Sequence, residues 1–322
     1  MTDPGLTVVI VNWNHVRHLE ACLAALFQQD YPDFEVVLVD NHSTDGSVEW
    51  VTGRYPAVRL ICNPVNLGFS QALNDAIHQT TAPFILSLNP DVTLRPGFLC
   101  EIMKPILQDE RVGMVAPKLL QADHPERLDS TGLFIDRRRR PWDRGQGRLD
   151  CGRYGGAVFG ACGGAALYRR AMLADVAPGG EYFDVQFFAY YEDADISWRA
   201  QMRGWKAMYA PLAEATHVRG KGDTLKNGRG RGPRLALRNR YLMVIKNDTP
   251  GSFLRDLPWI AAAELPRLAY ATLMNPGVWL GWIDLWRAIP AALQKRRQIR
   301  SRRLVDDREL RRWLLARDGP DA

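Results

Sequence analysis

Glu192-Asp193-Ala194-Asp195 is the densest acidic group in a chain whose formal net charge is +6. It follows an aromatic run, Phe187-Phe188-Ala189-Tyr190-Tyr191, and opens a helical pattern. Aromatic surroundings desolvate a carboxylate and raise its proton affinity, whereas a helix N-terminus stabilises the anion and lowers it. A carboxylate under such opposed influences can act as a general base. The same residue types also make an ordinary acidic first turn, so the segment alone leaves both readings open. Asp91 closes Ser87-Leu88-Asn89-Pro90-Asp91. Its hard oxygens could hold a divalent cation that bridges the oxygens of a diphosphate. Asn89 could add a neutral carbonyl or simply close the turn before Pro90. His217, in Glu214-Ala215-Thr216-His217-Val218, is by itself more often structural than a ligand. It gains a metal role only if the fold returns it to Asp91, where imidazole beside carboxylate suits Mn²⁺ as well as Mg²⁺.

These residues need elements to hold them. Leu6 to Asn12 (LTVVIVN), Phe34 to Asp40 (FEVVLVD), Val58 to Asn63 and Pro83 to Asn89 (PFILSLN) read as strands buried on both faces. Helical patterns separate them: Val16 to Phe27 with Asn14 as N-cap, a helix opened by Ser43 to Ser47, and Gly68 to His78. Strands alternating with helices at this spacing predict a parallel α/β sheet. In such sheets ligands bind beyond the strands' carboxyl ends. Those ends carry Asn12-Trp13-Asn14, Asp40-Asn41, Asn63 and Asn89-Pro90-Asp91. Asn and Asp are common turn residues anywhere, but four polar endings on successive strands favour a nucleotide site.

Further on, Lys118 to Arg153 reads as loops or an antiparallel insertion. Val158 to Tyr168 (VFGACGGAALY) has glycines that permit close backbone approach. A helix from the acidic group ends at Gly204, a short strand spans Ala207 to Tyr209, and Lys221 to Pro233 reads as a mobile loop. Beyond Pro250 the chain turns helical, Trp-rich and basic.

Composition narrows the class. Hydrophobic residues at 46% and charged residues at 24% exclude a wholly disordered or fibrous chain. Five cysteines without a CxxC pair argue against a disulfide framework or a thiolate zinc site. The opening MTDPGL lacks the basic and apolar regions of a secretory signal, and the longest uncharged stretch, Leu268 to Ile283, is broken by Asn275-Pro276-Gly277. A cytoplasmic protein is expected. Two basic clusters, Arg219 to Arg240 and Lys295 to Arg312, could attract phosphorylated ligands, anionic lipid or nucleic acid. The acidic centre and the lack of any nucleic-acid-binding module argue against the last of these.

In order along the chain stand VVIVNWN, VVLVDNHSTDGS, NPVNLGFSQALNDAI, LSLNPDV, FGACGGAALYRRAML, FFAYYEDADISWRAQMRGW and THVRG. Together they resemble the family 2 inverting glycosyltransferases of GT-A fold, in their rhamnosyltransferase-like branch. The likeness covers roughly residues 6 to 245. It implies a Rossmann-like nucleotide-sugar-binding domain with a mixed, mainly parallel sheet, followed by a C-terminal helical region. It also implies a nucleoside-diphosphate-sugar donor (a dTDP- or UDP-sugar), a divalent metal (Mg or Mn) and inversion by single displacement. By the same resemblance Asp40 matches the aspartate that binds the base, and Asn12 and Asn14 lie in the first nucleotide loop. Asn66, Gly68 and Asn74 match the donor segment N-x-G-x(5)-N. Asp91 matches the metal-binding end of the DxD motif, with His217 completing the metal site. Asp193 matches the catalytic base, and Glu192 supports the acceptor. Asn89 stands where strict members have Asp, which implies modest metal affinity or binding that waits for the donor's phosphates.

The expected organisation is a catalytic domain over residues 1–220, a basic loop and connecting helix over 221–248, and a Trp- and Arg-rich helical region over 249–322. Arg219, Lys221, Lys226, Arg229 and Arg231 are expected to fold over the donor diphosphate as a lid. The last region either packs on the catalytic domain or lies on a membrane. A peripheral site on the inner membrane face suits the lipid-linked or other glycan acceptors of such enzymes. The expected function is transfer of a sugar, L-rhamnose by resemblance, in bacterial surface polysaccharide synthesis. A sugar nucleotidyltransferase is the alternative. That chemistry opens with a Gly-rich, basic triphosphate loop after the first strand, where this chain has Asn12-Trp13-Asn14-His15.

Overall fold

The computed structural model describes residues 5–219, 231–274 and 278–315. The N-terminal half runs β1 (Leu6–Asn12), α1 (Val16–Phe27), β2 (Phe34–Asp40), α2 (Ser47–Arg54), β3 (Arg59–Cys62), α3 (Phe69–His78), β4 (Phe84–Leu88), β5 (Val92–Leu94) and α4 (Phe98–Gln108). Then follow β6 (Val112–Gln121), β7 (Leu128–Ser130), β8 (Leu133–Ile135), β9 (Pro141–Asp143), β10 (Ala157–Val158), β11 (Ala165–Arg169), α5 (Arg170–Val176), α6 (Glu192–Met202) and β12 (Lys206–His217). Among the described residues four helices follow: α7 (Arg231–Asn247), α8 (Pro250–Met274), α9 (Val278–Ser301) and α10 (Asp307–Leu315).

The main sheet has the order β10-β12-β6-β11-β4-β1-β2-β3. Strands β1 to β4 are mutually parallel, and β11 enters antiparallel between β4 and β6. This is the mixed GT-A sheet expected from the sequence. The apolar runs explain the layering. Val8, Ile10, Leu38 and Leu86 face one buried cluster with α1 and α4, while Val9, Val37 and Ile85 face another with α3 and α5. Successive side chains point to opposite faces, so a strand covered on both sides is apolar throughout. Register then sets the rim: Asn12 pairs with Asp40, and Asp40 with Cys62, so the polar ends align.

Three local expectations change. The short strand at Ala207–Tyr209 is part of the twelve-residue β12, whose last residue is His217. Pro211 and the Leu212-Ala213 that follow it hid this continuity. They lie at a register shift against β6 between Ala210 and Glu214, where the ladder needs no proline N–H. Asn14 does not cap α1: the helix follows His15, and the Asn14 side chain accepts instead from the Thr44 N–H. Pro233 lies in the first turn of α7 rather than in a loop, a position where its missing N–H costs nothing. Lys221, Lys226 and Arg229, and with them most of the expected lid, lie outside the described residues.

The C-terminal helices lie against the catalytic domain through buried ion pairs. Lys246 of α7 sits 2.5 Å from Asp184 and 2.9 Å from Asp195, and Lys295 of α9 lies 2.6 Å from both Glu181 and Asp184. Trp313 of α10 donates its indole N–H to Gln201 at 3.0 Å. Leu254, Trp259, Leu265 and Leu273 of α8, and Trp279, Leu280, Ile283 and Trp286 of α9, remain exposed. Among the described residues no helix is long and apolar enough to cross a membrane.

Candidate active site

The strand ends form a connected polar rim. Asn12 donates from Nδ2 to Asp40 Oδ1 (2.9 Å) and Ser43 Oγ (3.1 Å), and Asp40 Oδ2 accepts from the Ser43 N–H at 2.8 Å. Asn14 adopts φ 57°, a conformation asparagine tolerates better than most residues. Its N–H donates to Ser43 Oγ at 2.9 Å. Asn63 donates to Asn41, and Asn41 to the Gly68 carbonyl, while the Asn66 side chain accepts from the Gly68 N–H at 2.9 Å. This chain of amides ties β1, β2 and β3 to the start of α3. One atom is left over: Asn12 Oδ1 is buried and has no partner. An orphaned buried acceptor costs on the order of 1–3 kcal/mol until a donor reaches it.

Two residues of the expected donor segment have a different task. Asn74 is buried, and its amide both accepts from the Phe183 N–H (2.9 Å) and donates to the Phe183 carbonyl (2.7 Å). With both ends of the amide used in this way, it ties α3 to the segment before the acidic pair rather than contacting a donor. A Cβ on Gly68 (φ 86°) would lie 2.6 Å from Phe188, so this glycine admits the aromatic run against the rim.

That run is bent hard. Phe188, Tyr190 and Tyr191 have φ of 65°, 73° and 72°, a region bulky residues rarely adopt. Asn239 of α7, fully buried, holds the bend by donating to the carbonyls of Phe187, Ala189 and Tyr190, each at 2.8 Å. The bend delivers Glu192 and Asp193 to the first turn of α6. Asp193 Oδ2 accepts from the Gly163 N–H at 2.9 Å and Oδ1 from the Ala194 N–H at 2.7 Å. Burial pushes the Asp193 carboxyl above its ordinary range, and Asp143 adds to this, while those two N–H groups and Arg219 pull it back. Burial and then the charge of Asp193 hold Glu192 well above the carboxylate range, and Glu192 Oε2 is buried without a partner. Both carboxyls therefore hold a proton more tightly than a free carboxylate, and burial acts on Glu192 without a hydrogen bond to its Oε2.

Opposite them, β5 pairs with β12 so that Val92 faces His217, and the Val218 N–H donates to the Asp91 carbonyl. His217 Nε2 lies 3.4 Å from Asp91 Oδ1, and Nδ1 lies 2.8 Å from Asp129 Oδ2. Burial works to lower the His217 pKa, but hydrogen bonds to Asp129 and Asp91 and their charges lift it to about 9. For Asp91, burial acts upward, and the hydrogen bond and charge of His217 outweigh it, leaving the carboxyl below its usual range. Arg219 is held by Asp143 at 2.7 Å and Asp129 at 3.1 Å, a fixed member of the wall rather than a free loop cation.

Gly163-Gly164 joins the two halves. A Cβ on Gly163 would lie 3.4 Å from Asp193 Oδ2, and one on Gly164 would lie 3.2 Å from His217 Cε1. The Asn89 N–H donates to the Gly164 carbonyl at 2.9 Å. Asp193, His217 and the Asn89–Asp91 turn thus converge on one dipeptide. Among the described residues no three His, Cys, Asp or Glu side chains form a metal cage. The chemistry of the donor set nevertheless fits a cation that also takes ligands from its substrate. Asp91 supplies a hard oxygen, and Asp129 on Nδ1 leaves Nε2 of His217 directed at Asp91. Asp129, Asp143 and Asn239 are the residues that sequence reasoning missed. The first two lie in the Arg- and Gly-rich middle segment, which has no periodic pattern to single them out, and Asn239 sits inside an unremarkable helix.

A nucleotide-type parallel rim, a returning strand that sets a histidine against a rim aspartate, and a buried carboxylate pair facing them define a sugar-nucleotide-dependent transferase. The chain belongs to glycosyl transferase family 2, whose sequence model matches residues 7–177. It is 30% identical to the N-acetylglucosaminyl-diphospho-decaprenol L-rhamnosyltransferase of Mycobacterium tuberculosis, over 82% of this chain and 91% of that one. It is 27% identical to an N-acetylglucosaminyltransferase of Rhizobium meliloti, over 69% of this chain and 53% of that one. Among solved structures it resembles the mannosyltransferase PcManGT of Pyrobaculum calidifontis in complex with GDP-Man and Mn²⁺. The TM-score is 0.53 at 20% identity, covering 94% of this chain and 86% of that one. It also resembles S. aureus TarS 1-349 in complex with UDP-GlcNAc, with a TM-score of 0.58 at 15% identity, covering 92% and 87%. At these identities the structural likeness speaks for the fold.

Proposed function

We propose that the chain moves L-rhamnose from a dTDP- or UDP-linked donor to a hydroxyl of a polyprenyl-linked saccharide, inverting the anomeric carbon, in synthesis of a bacterial surface polysaccharide. The observation that carries the reading is the convergence of Asp193, His217 and the Asn89–Asp91 turn on Gly163-Gly164. The mycobacterial rhamnosyltransferase, matched over most of both chains, supports the sugar and the acceptor class.

Asp193 removes the proton of the acceptor hydroxyl as that oxygen attacks the anomeric carbon, and its raised proton affinity suits it to the task. Glu192, protonated, orients the acceptor by donating a hydrogen bond. The rim of Asn12, Asn14, Asp40 and Asn66 receives the nucleoside, with Asn12 Oδ1 open to a donor group on it. Asp91 and His217, with Asn89 beside them, would hold Mg²⁺ or Mn²⁺, which when bound offsets the charge growing on the departing diphosphate. The exposed Trp and Leu side chains of α8 and α9, next to Arg255 and Arg287, support a peripheral seat on the inner membrane face.

The test is release of nucleoside diphosphate from a panel of sugar nucleotides with Mn²⁺ or Mg²⁺. A rhamnosyl donor should be consumed, and Asp193→Asn should abolish transfer while still binding donor in calorimetry. If no donor in the panel is consumed by the wild type, the reading fails.

A further inference from the structure

Four consecutive arginines, Arg137 to Arg140, turn the chain between β8 and β9. Two of them hold ion pairs. Arg137 lies 3.0 Å from Asp256 and stacks on Trp259, and buried Arg139 meets Asp248 at 2.7 Å and Asp256 at 2.9 Å. These contacts clamp the turn against the start of α8 and so fix where Arg140 must lie.

Arg140 is half-buried and has no carboxylate within ion-pairing distance among the described residues; its guanidinium stacks on Trp142 at 4.5 Å. Arg240 of α7 and Arg267 of α8 act on it as like charges, and Asp136, which accepts from the Arg140 N–H at 3.1 Å, acts in the opposite sense with Tyr191. Arg240 donates to the Arg138 carbonyl at 3.2 Å and reaches Glu264 Oε1 at 2.5 Å. Arg267 stands 3.7 Å from the other oxygen of Glu264, with 38% of its side chain exposed. One carboxylate thus serves two guanidiniums, and a third has none. Burial first, and then Arg240 and Arg267, pull the Arg140 pKa below its ordinary value.

The position ties this cluster to the chemistry. Tyr191, the residue before Glu192, lies within electrostatic reach of all three guanidiniums and of Asp193. Leu265, two residues from Arg267, is exposed, as is Leu254 earlier on the same helix. Donor phosphates belong beyond Gly163-Gly164, with Asp91 and His217. A second anion would therefore lie on the acceptor side of the base, with apolar surface beside it.

We propose that Arg140 and Arg267, backed by Arg240, form an anion site for the acceptor, taking the phosphate or diphosphate ester that joins the acceptor sugar to an apolar carrier. The shared chemistry is a phosphate ester, and planar guanidiniums suit its oxygens. This inference rests on the reading of the chain as a transferase with a carrier-linked acceptor.

The experiment is calorimetry of the full chain with geranyl diphosphate, in EDTA so that the metal-dependent donor site stays silent. Wild type should bind the probe. The double variant Arg140→Gln/Arg267→Gln should bind it roughly tenfold or more weakly, the scale of one lost charge-assisted hydrogen bond. Asp91→Ala should bind as wild type does. Equal affinity in wild type and the double variant, or loss of binding in Asp91→Ala, overturns the site. Displacement of the probe from wild type by phosphatidylglycerol vesicles assigns it to lipid headgroups and overturns the acceptor assignment. Should the double variant not fold, Arg140→Gln alone, which removes no ion pair, takes its place. Calorimetry of the sugar nucleotide with Mn²⁺, in which the double variant should match wild type, separates the two readings. No sugar-nucleotide binding in wild type rejects the transferase, whereas normal donor binding with unchanged probe affinity rejects only the anion site.

Discussion

As the proposed base, Asp193 acts only when it has lost its proton, and its neighbours decide the pH at which that happens. Burial raises its proton affinity, Asp143 raises it further, and Arg219 lowers it. Replacing Asp143 by Asn removes an upward influence and also frees Arg219 from the partner it holds at 2.7 Å. Both changes favour the Asp193 anion. The acidic limb of kcat/KM against pH should therefore move to lower pH in Asp143→Asn, by on the order of one unit. A limb that stays in place or moves up would remove Asp143 from the electrostatics of the base. Nothing near Asp143 in the sequence foretells this role. It lies 50 residues before Asp193 in a polar, Arg-rich segment, and only the folded chain brings their charges within reach.

The bend before α6 depends on a helix from the far end of the chain. Three left-handed residues in a run of four store strain, on the order of 1–3 kcal/mol each, and persist only where the surroundings hold them. Asn239 holds them from α7 through three carbonyls. Asn239→Leu keeps the volume but none of the bonds. It should lower kcat by about ten- to a hundredfold, because Glu192 and Asp193 lose their placement. Donor affinity should fall less than turnover, since the rim amides of β1 to β3 bond to one another. Equal loss of donor binding and turnover would indicate general damage instead. The helix itself is readable from its composition, whereas the role of this one amide is not: an Asn between Arg238 and Arg240 carries no periodic signal.

Across the molecule, the C-terminal helices behave as part of the catalytic body. Lys246, Lys295, Asp184, Glu181 and Asp195 join α7 and α9 to the segment that carries the acidic pair. Removing one partner of a buried ion pair leaves its mate uncompensated, so Lys246→Met should cost about 3–5 kcal/mol and lower Tm substantially. The pH dependence follows from Asp184. Burial would raise its pKa, but Lys246 and Lys295 overcome this and hold it far below the ordinary 3.8. A depressed carboxylate contributes stability above its unfolded pKa, and that contribution is lost as pH falls toward the folded value. Tm should hold near neutral pH and drop as the medium is taken below about pH 4. In Lys246→Met that acid dependence should be shallower, because the folded pKa then lies nearer the unfolded one. A variant with wild-type Tm and the same acid profile would refute the network's contribution.

Much of this protein is written locally. Continuous β-branched runs can settle only in strands covered on both faces, and their polar ends then line one rim. Asn12, Asp40, Asp91 and the acidic start of α6 were legible for that reason, because period and burial act over a few neighbouring residues. Three decisions needed the folded chain. Pairing of β5 with β12 set His217 against Asp91, packing of the middle segment supplied Asp129 and Asp143, and docking of α7 gave Asn239 its hold on the bend. Each joins residues tens of positions apart, where no local propensity or spacing encodes the meeting. The proton affinities of Glu192 and Asp193 likewise depend on burial and on distant charges, which exist only once the chain has closed around them.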